Sequence, residues 1–119
     1  DLIITNFANP DMVGHTGNIE ATVKAIEAVD ECIGKIFDQC KKNRYSLILT
    51  SDHGNAENMF DEKKNIACTT HSLNLVPLII CEKINYSIKT GKLADIAPTV
   101  LKLLGLEIPT LMKGKPLIK

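Results

Sequence analysis

The chain is poor in the features that mark several large protein classes. It has 119 residues, no tryptophan and only 4% aromatic residues, so it offers few surfaces on which nucleic-acid bases could stack. Fourteen lysine and arginine residues balance fourteen acidic residues, whereas nucleic-acid binding needs clustered cations. The longest apolar run, residues 75–81, is far shorter than the about twenty residues that cross a bilayer. We therefore expect neither a nucleic-acid partner nor a membrane span.

The short motifs of several common enzyme families are also missing. The sequence has no G-x-G-x-x-G or Walker loop for nucleotides, and no G-x-S-x-G elbow for a hydrolase serine. The four cysteines form no C-x-x-C pair, which favours reduced thiols in a cytoplasmic protein over a disulfide framework. What remains is a chain with 45% hydrophobic and 24% charged residues, a composition typical of one globular domain.

The hydrophobic pattern predicts an α/β fold. Continuous apolar runs predict three buried strands, at residues 2–5, 47–50 and 76–81. After Asn18, apolar side chains recur at helical spacing as far as Cys40, and a second helix is predicted after Asp95, with Gly105 just past its end. This order predicts a mostly parallel sheet covered by helices. Because the chain opens with Asp1 and enters an apolar run at once, we expect a piece of a longer protein.

All three histidines fall on predicted loops, close to two aspartates. Asp11 precedes His15 by four residues, Asp52 and His53 directly follow a predicted strand, and His71 lies on a long polar loop. Open α/β sheets bind ligands at the carboxyl ends of their strands, so we expect these five side chains to gather there. Carboxylates and imidazoles are ligands of divalent transition metals, and five are too many for one tetrahedral site. The sequence therefore predicts two incomplete sites for Mn²⁺ or Zn²⁺.

The same residues also have a plainer interpretation. An Asp-x-x-x-His spacing is common in proteins that bind no metal. Asparagines such as Asn55 and Asn58 favour turns by themselves. On this view the polar loops only connect the strands and helices.

Four long motifs narrow the choice: NFANPDMVGHTG at 6–17, TSDHGNAE at 50–57, THSLNLVP at 70–77 and GKLADIAPTVLKLLGLEIP at 91–109. Together they cover nearly the whole chain, and they resemble the cofactor-independent phosphoglycerate mutase family of the alkaline phosphatase superfamily. The resemblance implies that residues 1–119 are the C-terminal part of a metal-binding, phosphatase-like domain. It also implies that this α/β domain is incomplete in the chain, because the family's enzymes are several times longer.

The resemblance implies a role for each candidate ligand. Asp11, His15 and His71 would hold one metal ion. Asp52 and His53 would hold the other, together with an aspartate and a nucleophilic serine that lie upstream in the family. The implied metals are two Mn²⁺ ions, with Zn²⁺, Co²⁺ or Mg²⁺ as alternatives, and no 2,3-bisphosphoglycerate is required. No catalytic residue is expected within these 119 residues.

The function implied by the resemblance is the interconversion of 2-phosphoglycerate and 3-phosphoglycerate in glycolysis, an isomerase reaction that passes through a phosphoserine. The full-length enzyme would be monomeric and cytoplasmic, and these residues alone are expected to be inactive. Two alternatives stay open. One is another enzyme of the superfamily, such as a phosphopentomutase or a phosphatase, and the other is a metal-binding module that is not an enzyme.

Overall fold

The computed structural model describes residues 1–82 and 86–119. The chain divides into an N-terminal unit, Asp1–Glu82, and a C-terminal unit, Lys83–Lys119. The N-terminal unit contains seven basic and twelve acidic residues, and the C-terminal unit contains seven basic and two acidic residues. The neutral chain is therefore made of one unit with a net charge of −5 and one with a net charge of +5, counting histidine as neutral.

Two helices open the N-terminal unit. The short helix α1, Asn9–Gly14, carries a proline in its first turn, where the missing N–H costs nothing. It was not predicted, because its Asn-Pro-Asp sequence is typical of a turn. The long helix α2, Ile19–Asn43, begins where the sequence predicts, since the side chain of Asn18 accepts a hydrogen bond from Ala21 N at 3.0 Å. Within the described ranges 1–82 and 86–119, no helix is long and apolar enough to cross a membrane.

The predicted strands at 47–50 and 76–81 pair with each other. Strand β1, Leu47–Thr50, and strand β4, Leu78–Cys81, form a two-stranded antiparallel ladder. Strand β4 starts just after Pro77, which has no N–H to donate to a ladder. Between them, β2, Phe60–Asp61, and β3, Ile66–Ala67, form a small antiparallel hairpin in the segment expected to be a loop.

Two expectations about the sheet are wrong for the part of the chain that the structure describes. Both two-stranded sheets are antiparallel rather than parallel, because β1 and β4 are joined by loops and a hairpin and not by a crossover helix. Residues 2–5 form no strand, and Ile3 and Ile4 are 77% and 84% exposed. An apolar run becomes a strand only when a neighbouring strand satisfies its backbone hydrogen bonds, and none among the described residues lies beside this one.

The C-terminal unit is built around helix α3, Ile96–Leu103, which a 3₁₀ turn at Leu93–Asp95 leads into. Gly105 follows the helix in the left-handed conformation, φ +68°, as predicted for a helix end. The final residues of the chain, which show no clear period, supply two of its most buried apolar side chains. Leu117 and Ile118 are 6% and 2% exposed.

Buried polar groups hold this unit together. The hydroxyl of Thr99 donates to Asp95 O at 2.7 Å and accepts from Leu117 N at 2.9 Å. The carboxylate of Asp95 accepts from the backbone N–H groups of Lys92 and Lys115, both at 2.9 Å, and from the Lys92 ammonium at 3.3 Å. Asp95 therefore stands at the predicted start of the helix, but its side chain binds the preceding turn and the C-terminal tail rather than capping α3.

Candidate metal centre

The centre begins on helix α1, which the sequence analysis did not predict. Asp11 lies within α1, and His15 is the residue at its C-terminal cap. Positions four apart share one face of a helix, and Asp11 Oδ1 is 3.2 Å from His15 Nε2. The Asp-x-x-x-His spacing is thus a helical spacing, which brings a carboxylate and an imidazole together.

Two further histidines come from loops at one end of the β1–β4 ladder, where Thr50 pairs with Leu78. His53 follows β1 and His71 precedes β4; their Nε2 atoms lie 3.9 Å and 3.1 Å from Asp11 Oδ1. The rings of His53 and His71 are stacked, with centroids 3.7 Å apart and an angle of 18° between planes. The Nε2 atoms of His15 and His71 are 3.1 Å apart. Three imidazole nitrogens therefore surround one carboxylate oxygen.

The tautomer of His15 follows from the contact that its Nδ1 atom makes, on the side of the ring away from Asp11. His15 Nδ1 lies 2.6 Å from Thr69 O, and a carbonyl oxygen can only accept, so Nδ1 carries the proton. In the neutral ring the lone pair is then on Nε2, which faces Asp11. A carbonyl that fixes the tautomer in this way is the usual partner of a metal-ligating histidine.

The cluster fits a divalent cation by two tests. Asp11 Oδ1 and His53 Nδ1 are buried, and neither has a hydrogen-bond partner in the described part of the chain. Leaving a carboxylate oxygen without donors is costly, and a cation would offset that cost. Ligand atoms about 2.0–2.2 Å from a tetrahedral ion lie roughly 3.3–3.6 Å from each other. The three distances from Asp11 Oδ1 to the Nε2 atoms, and the distance between the Nε2 atoms of His15 and His71, are 3.1 to 3.9 Å.

The fifth predicted ligand lies at the edge of this cluster. Asp52 Oδ2 is 3.6 Å from His53 Nε2, but the Asp52 side chain is 86% exposed. His53 therefore lies between Asp11 and Asp52, within reach of both carboxylates. The structure brings the three histidines to Asp11 and leaves Asp52 at the edge. The ligand atoms of Asp11, His53 and His71 all lie within 4.8 Å of one another, and the division of the five residues into two metal sites stays a prediction.

A polar network that the sequence analysis missed adjoins the cluster. The carboxylate of Glu57 accepts from the hydroxyl of Ser72, from Asn74 Nδ2 at 3.0 Å and from Asn55 N at 2.7 Å. These bonds, with that from Ser72 the largest contribution, lower the pKa of Glu57 below its ordinary value of 4.5 despite partial desolvation. The available signal was position alone, because Ser72 directly follows His71 and Glu57 comes four residues after His53.

Two glycines allow the segments of the centre to approach closely. A Cβ at Gly54 would overlap the Ser72 hydroxyl and the Glu57 carboxylate, and a Cβ at Gly14 would overlap Asn55 Oδ1. At Gly54, the backbone N–H of Ser72 donates to Gly54 O at 2.8 Å, and this hydrogen bond forms an isolated β-bridge between the two histidine loops. The glycines that precede His15 and follow His53 are therefore required by packing.

The family of the chain follows from a comparison with known protein families. A family model described as the metalloenzyme superfamily matches residues 1–108. The chain belongs to the metalloenzyme superfamily. Membership supports divalent metal binding, the chemistry for which the donor atoms around Asp11 are suited.

Individual members of the superfamily give closer matches. The chain is 52% identical over 122 residues to a 2,3-bisphosphoglycerate-independent phosphoglycerate mutase of Ehrlichia canis and 53% identical over 119 residues to that of Wolbachia pipientis wMel. These matches cover 99% and 98% of this chain, but only 24% and 23% of the relatives. The chain thus spans about a quarter of the length of the curated relatives it matches.

A solved structure of the same superfamily has the same fold. The chain matches Leishmania mexicana phosphoglycerate mutase, crystallised at low cobalt concentration, with a TM-score of 0.83 and 34% identity, over 96% of this chain and 24% of that one. This match confirms the α/β, alkaline-phosphatase-like fold class predicted from the sequence. Together with the curated relatives, it also confirms the resemblance to cofactor-independent phosphoglycerate mutases.

Proposed function

We propose that residues 1–119 are the C-terminal part of the metal-binding domain of a 2,3-bisphosphoglycerate-independent phosphoglycerate mutase, which interconverts 2-phosphoglycerate and 3-phosphoglycerate. The observation that carries the proposal is the convergence of three imidazole Nε2 atoms on the buried Asp11 Oδ1. The names of the curated relatives support the choice of reaction within the superfamily.

The residues of this chain would act by holding metal ions in place. Asp11, His15 and His71 would ligate one ion, and Asp52 and His53 would contribute to a second, with Mn²⁺ as the proposed metal at both. The carbonyl of Thr69 keeps the proton of His15 on Nδ1, so that Nε2 stays available as a ligand. The carboxylates of Asp11 and Asp52 would offset part of the charge of the two cations. When bound, such ions stabilise charge on phosphoryl oxygens and lower the pKa of a nucleophilic hydroxyl.

Other parts of the reaction would come from outside these residues. The phosphoryl group would pass between the 2- and 3-hydroxyls of glycerate through a phosphoserine, which splits one transfer into two covalent steps. The serine, a further aspartate and the groups that bind the substrate belong to the rest of the full-length enzyme. For that enzyme we further propose a monomeric state, a cytoplasmic location and no need for 2,3-bisphosphoglycerate.

The experiment is a coupled assay of phosphoglycerate interconversion on the complete polypeptide that contains these residues, loaded with Mn²⁺. Asp52→Ala and His53→Ala should each abolish turnover and leave the fold intact, because both side chains lie on a loop at the end of a strand. The matched control is Glu31→Gln, which removes one charge from an exposed ion pair with Lys35 and should leave turnover unchanged. Near-normal turnover of either loop variant, with unchanged metal content, would contradict the ligand assignment.

The same preparation separates the alternative functions. A panel of substrates that includes a pentose phosphate and a simple phosphate monoester would identify a phosphopentomutase or a phosphatase by its preferred substrate. Tight Mn²⁺ binding with no turnover of any substrate would instead favour a metal-binding module without enzymatic activity.

A further inference from the structure

We infer that Glu57 is a positioning residue of the metal centre, whose carboxylate joins the loop of His53 to the loop of His71 and so holds the two rings in their stacked arrangement. The inference rests on the proposed metal-binding function. It adds a role for a residue that lies outside the predicted ligand set.

We call the hydrogen bonds that Glu57 accepts from the two histidine loops the brace. Its first half is on the His71 side. The Ser72 hydroxyl and Asn74 Nδ2 both donate to Glu57 Oε1, the second at 3.0 Å. Ser72 is the next residue after His71, and its hydroxyl also accepts from Asn74 N at 3.2 Å. One carboxylate oxygen therefore fixes the backbone direction of the loop immediately after the His71 ring.

The second half is on the His53 side. Glu57 Oε2 accepts from Asn55 N at 2.7 Å, two residues after His53. The loops also meet directly, because Ser72 N donates to Gly54 O at 2.8 Å. The absence of a Cβ at Gly54 leaves the space that the Ser72 hydroxyl and the carboxylate occupy. The residues directly after both histidines are thus held against one another, which accounts for ring centroids 3.7 Å apart.

The brace extends to the third histidine. Asn55 is buried, and its side-chain oxygen packs against Gly14 so closely that no Cβ fits there. Gly14 directly precedes His15 at the end of α1. A shift of Asn55 would therefore change how the end of α1, which precedes His15, lies against the loop of His53.

A carboxylate suits this position better than an amide. Glu57 accepts three hydrogen bonds, from a hydroxyl, an amide and a backbone N–H, and donates none. A glutamine would have to direct its NH₂ group toward at least one of these donors, which would lose that bond and leave two donors facing each other. Glu57→Gln is therefore a small change in shape with a specific effect on the brace.

The test uses the complete polypeptide in three forms: wild type, Glu57→Gln and Glu57→Ala. Calorimetric titration with Mn²⁺ should show affinity lower by roughly 10–100-fold in the variants, the usual cost of losing groups that orient metal ligands. In the metal-free protein with labelled histidine, NMR contacts between the His53 and His71 ring protons should weaken or disappear in both variants. A purely structural role elsewhere in the fold would lower the unfolding temperature without changing these ring contacts.

The matched control is Asp61→Asn. Asp61 lies in the same segment and also accepts backbone N–H groups, from Lys63 and Lys64, but its carboxylate touches neither histidine loop. This variant should keep wild-type Mn²⁺ affinity and ring contacts. Ser72→Ala removes the donor on the His71 side, and its effect should not add to that of Glu57→Gln, because both break the same brace.

The possible results separate this inference from the proposed function. Wild-type affinity and intact ring contacts in Glu57→Gln and Glu57→Ala would overturn the brace. If the wild-type protein binds no Mn²⁺, the proposed function fails, and the ring contacts still decide whether Glu57 positions the histidines. If Glu57→Ala does not fold, Glu57→Gln and Ser72→Ala provide the same two measurements with smaller changes.

Discussion

Each unit of the chain contains an aspartate whose carboxylate is at least partly buried, and the two carboxylates have different surroundings. In the C-terminal unit, both oxygens of Asp95 accept hydrogen bonds, from two backbone N–H groups and a lysine ammonium. In the N-terminal unit, Asp11 Oδ1 is buried without a hydrogen-bond donor and faces three imidazole Nε2 atoms.

The difference separates a structural carboxylate from one arranged for a cation. The donors around Asp95 come from the turn before α3 and from the C-terminal tail, so its bonds close the fold of its own unit. The groups around Asp11 are imidazole Nε2 atoms, which offer lone pairs in the tautomer that His15 adopts, so they can share a metal ion with the carboxylate. The two sites differ in whether hydrogen-bond donors of the protein satisfy the carboxylate oxygens, and not in burial alone.

Replacing each aspartate by asparagine should produce opposite results. Asp11→Asn should weaken Mn²⁺ binding by more than the about 100-fold upper range for groups that only orient ligands, because a charged ligand is lost. Asp95→Asn should leave Mn²⁺ affinity unchanged and lower the thermal unfolding midpoint, because the amide cannot accept from all three donors. Calorimetric Mn²⁺ titration and thermal unfolding of the complete polypeptide measure both effects. Equal loss of metal affinity in the two variants would remove the distinction between these carboxylates.

The histidines around Asp11 should fail as one unit. His15→Ala and His71→Ala should each weaken Mn²⁺ binding by at least about tenfold. The double variant should be far less impaired than the product of the two effects, because residues that act together lose their function together. A double-mutant cycle of Mn²⁺ dissociation constants gives the answer. Strict additivity would show that the two rings do not share an ion.

The bonds near Asp95 should have a moderate effect on stability and none on metal. Thr99→Val keeps the side-chain shape but leaves Leu117 N–H buried without its acceptor, which should cost about 1–3 kcal/mol. Thr99→Ser is the control, because it keeps the hydroxyl and loses a methyl group, about 0.8 kcal/mol. Amide hydrogen exchange at Leu117 reports the change within this unit. A valine variant as protected as the serine variant would show that the hydroxyl is dispensable.

The smallest expected effect is an acid dependence that belongs to Asp95. The N–H groups of Lys115 and Lys92 hold the pKa of Asp95 below its ordinary value of 3.8, with a further contribution from the Lys92 ammonium. As the pH falls below that value, the unfolded chain takes up the proton first. The stabilisation is therefore complete above about pH 4 and is lost progressively at lower pH. Unfolding midpoints of the wild type should fall more steeply in this range than those of Asp95→Asn, and parallel curves would contradict the assignment.

Sequence periodicity predicted the elements whose hydrophobic pattern is long or whose ends are marked. Helix α2 begins at the Asn18 cap, β1 has the predicted bounds, and α3 begins after Asp95. Helix α1 and the β2–β3 hairpin were missed because six- and two-residue elements are too short to show a period. The apolar run at residues 2–5 has the composition of a strand, but composition does not supply a neighbouring strand.

The sequence indicated which residues to consider as ligands, but it did not indicate their geometry. The five candidate ligands were chosen from the sequence because the chain has only three histidines, and two aspartates lie close to them on loops beside predicted strands. The position of His53 between Asp11 and Asp52 depends on how two loops cross, which local sequence does not encode. The role inferred for Glu57 likewise rests on contacts with residues 15 and 17 positions along the chain.

The uneven charge of the two units has a consequence for handling the isolated 119-residue chain. A protein with zero net charge is normally expected to pass through ion-exchange media near neutral pH. Here Asp1–Glu82 has a net charge of −5 and Lys83–Lys119 has a net charge of +5. Each unit can therefore bind an ion-exchange resin of the opposite charge. At low ionic strength it should be retained on both anion and cation exchangers, and elute from each once salt shortens the screening length to about 10 Å.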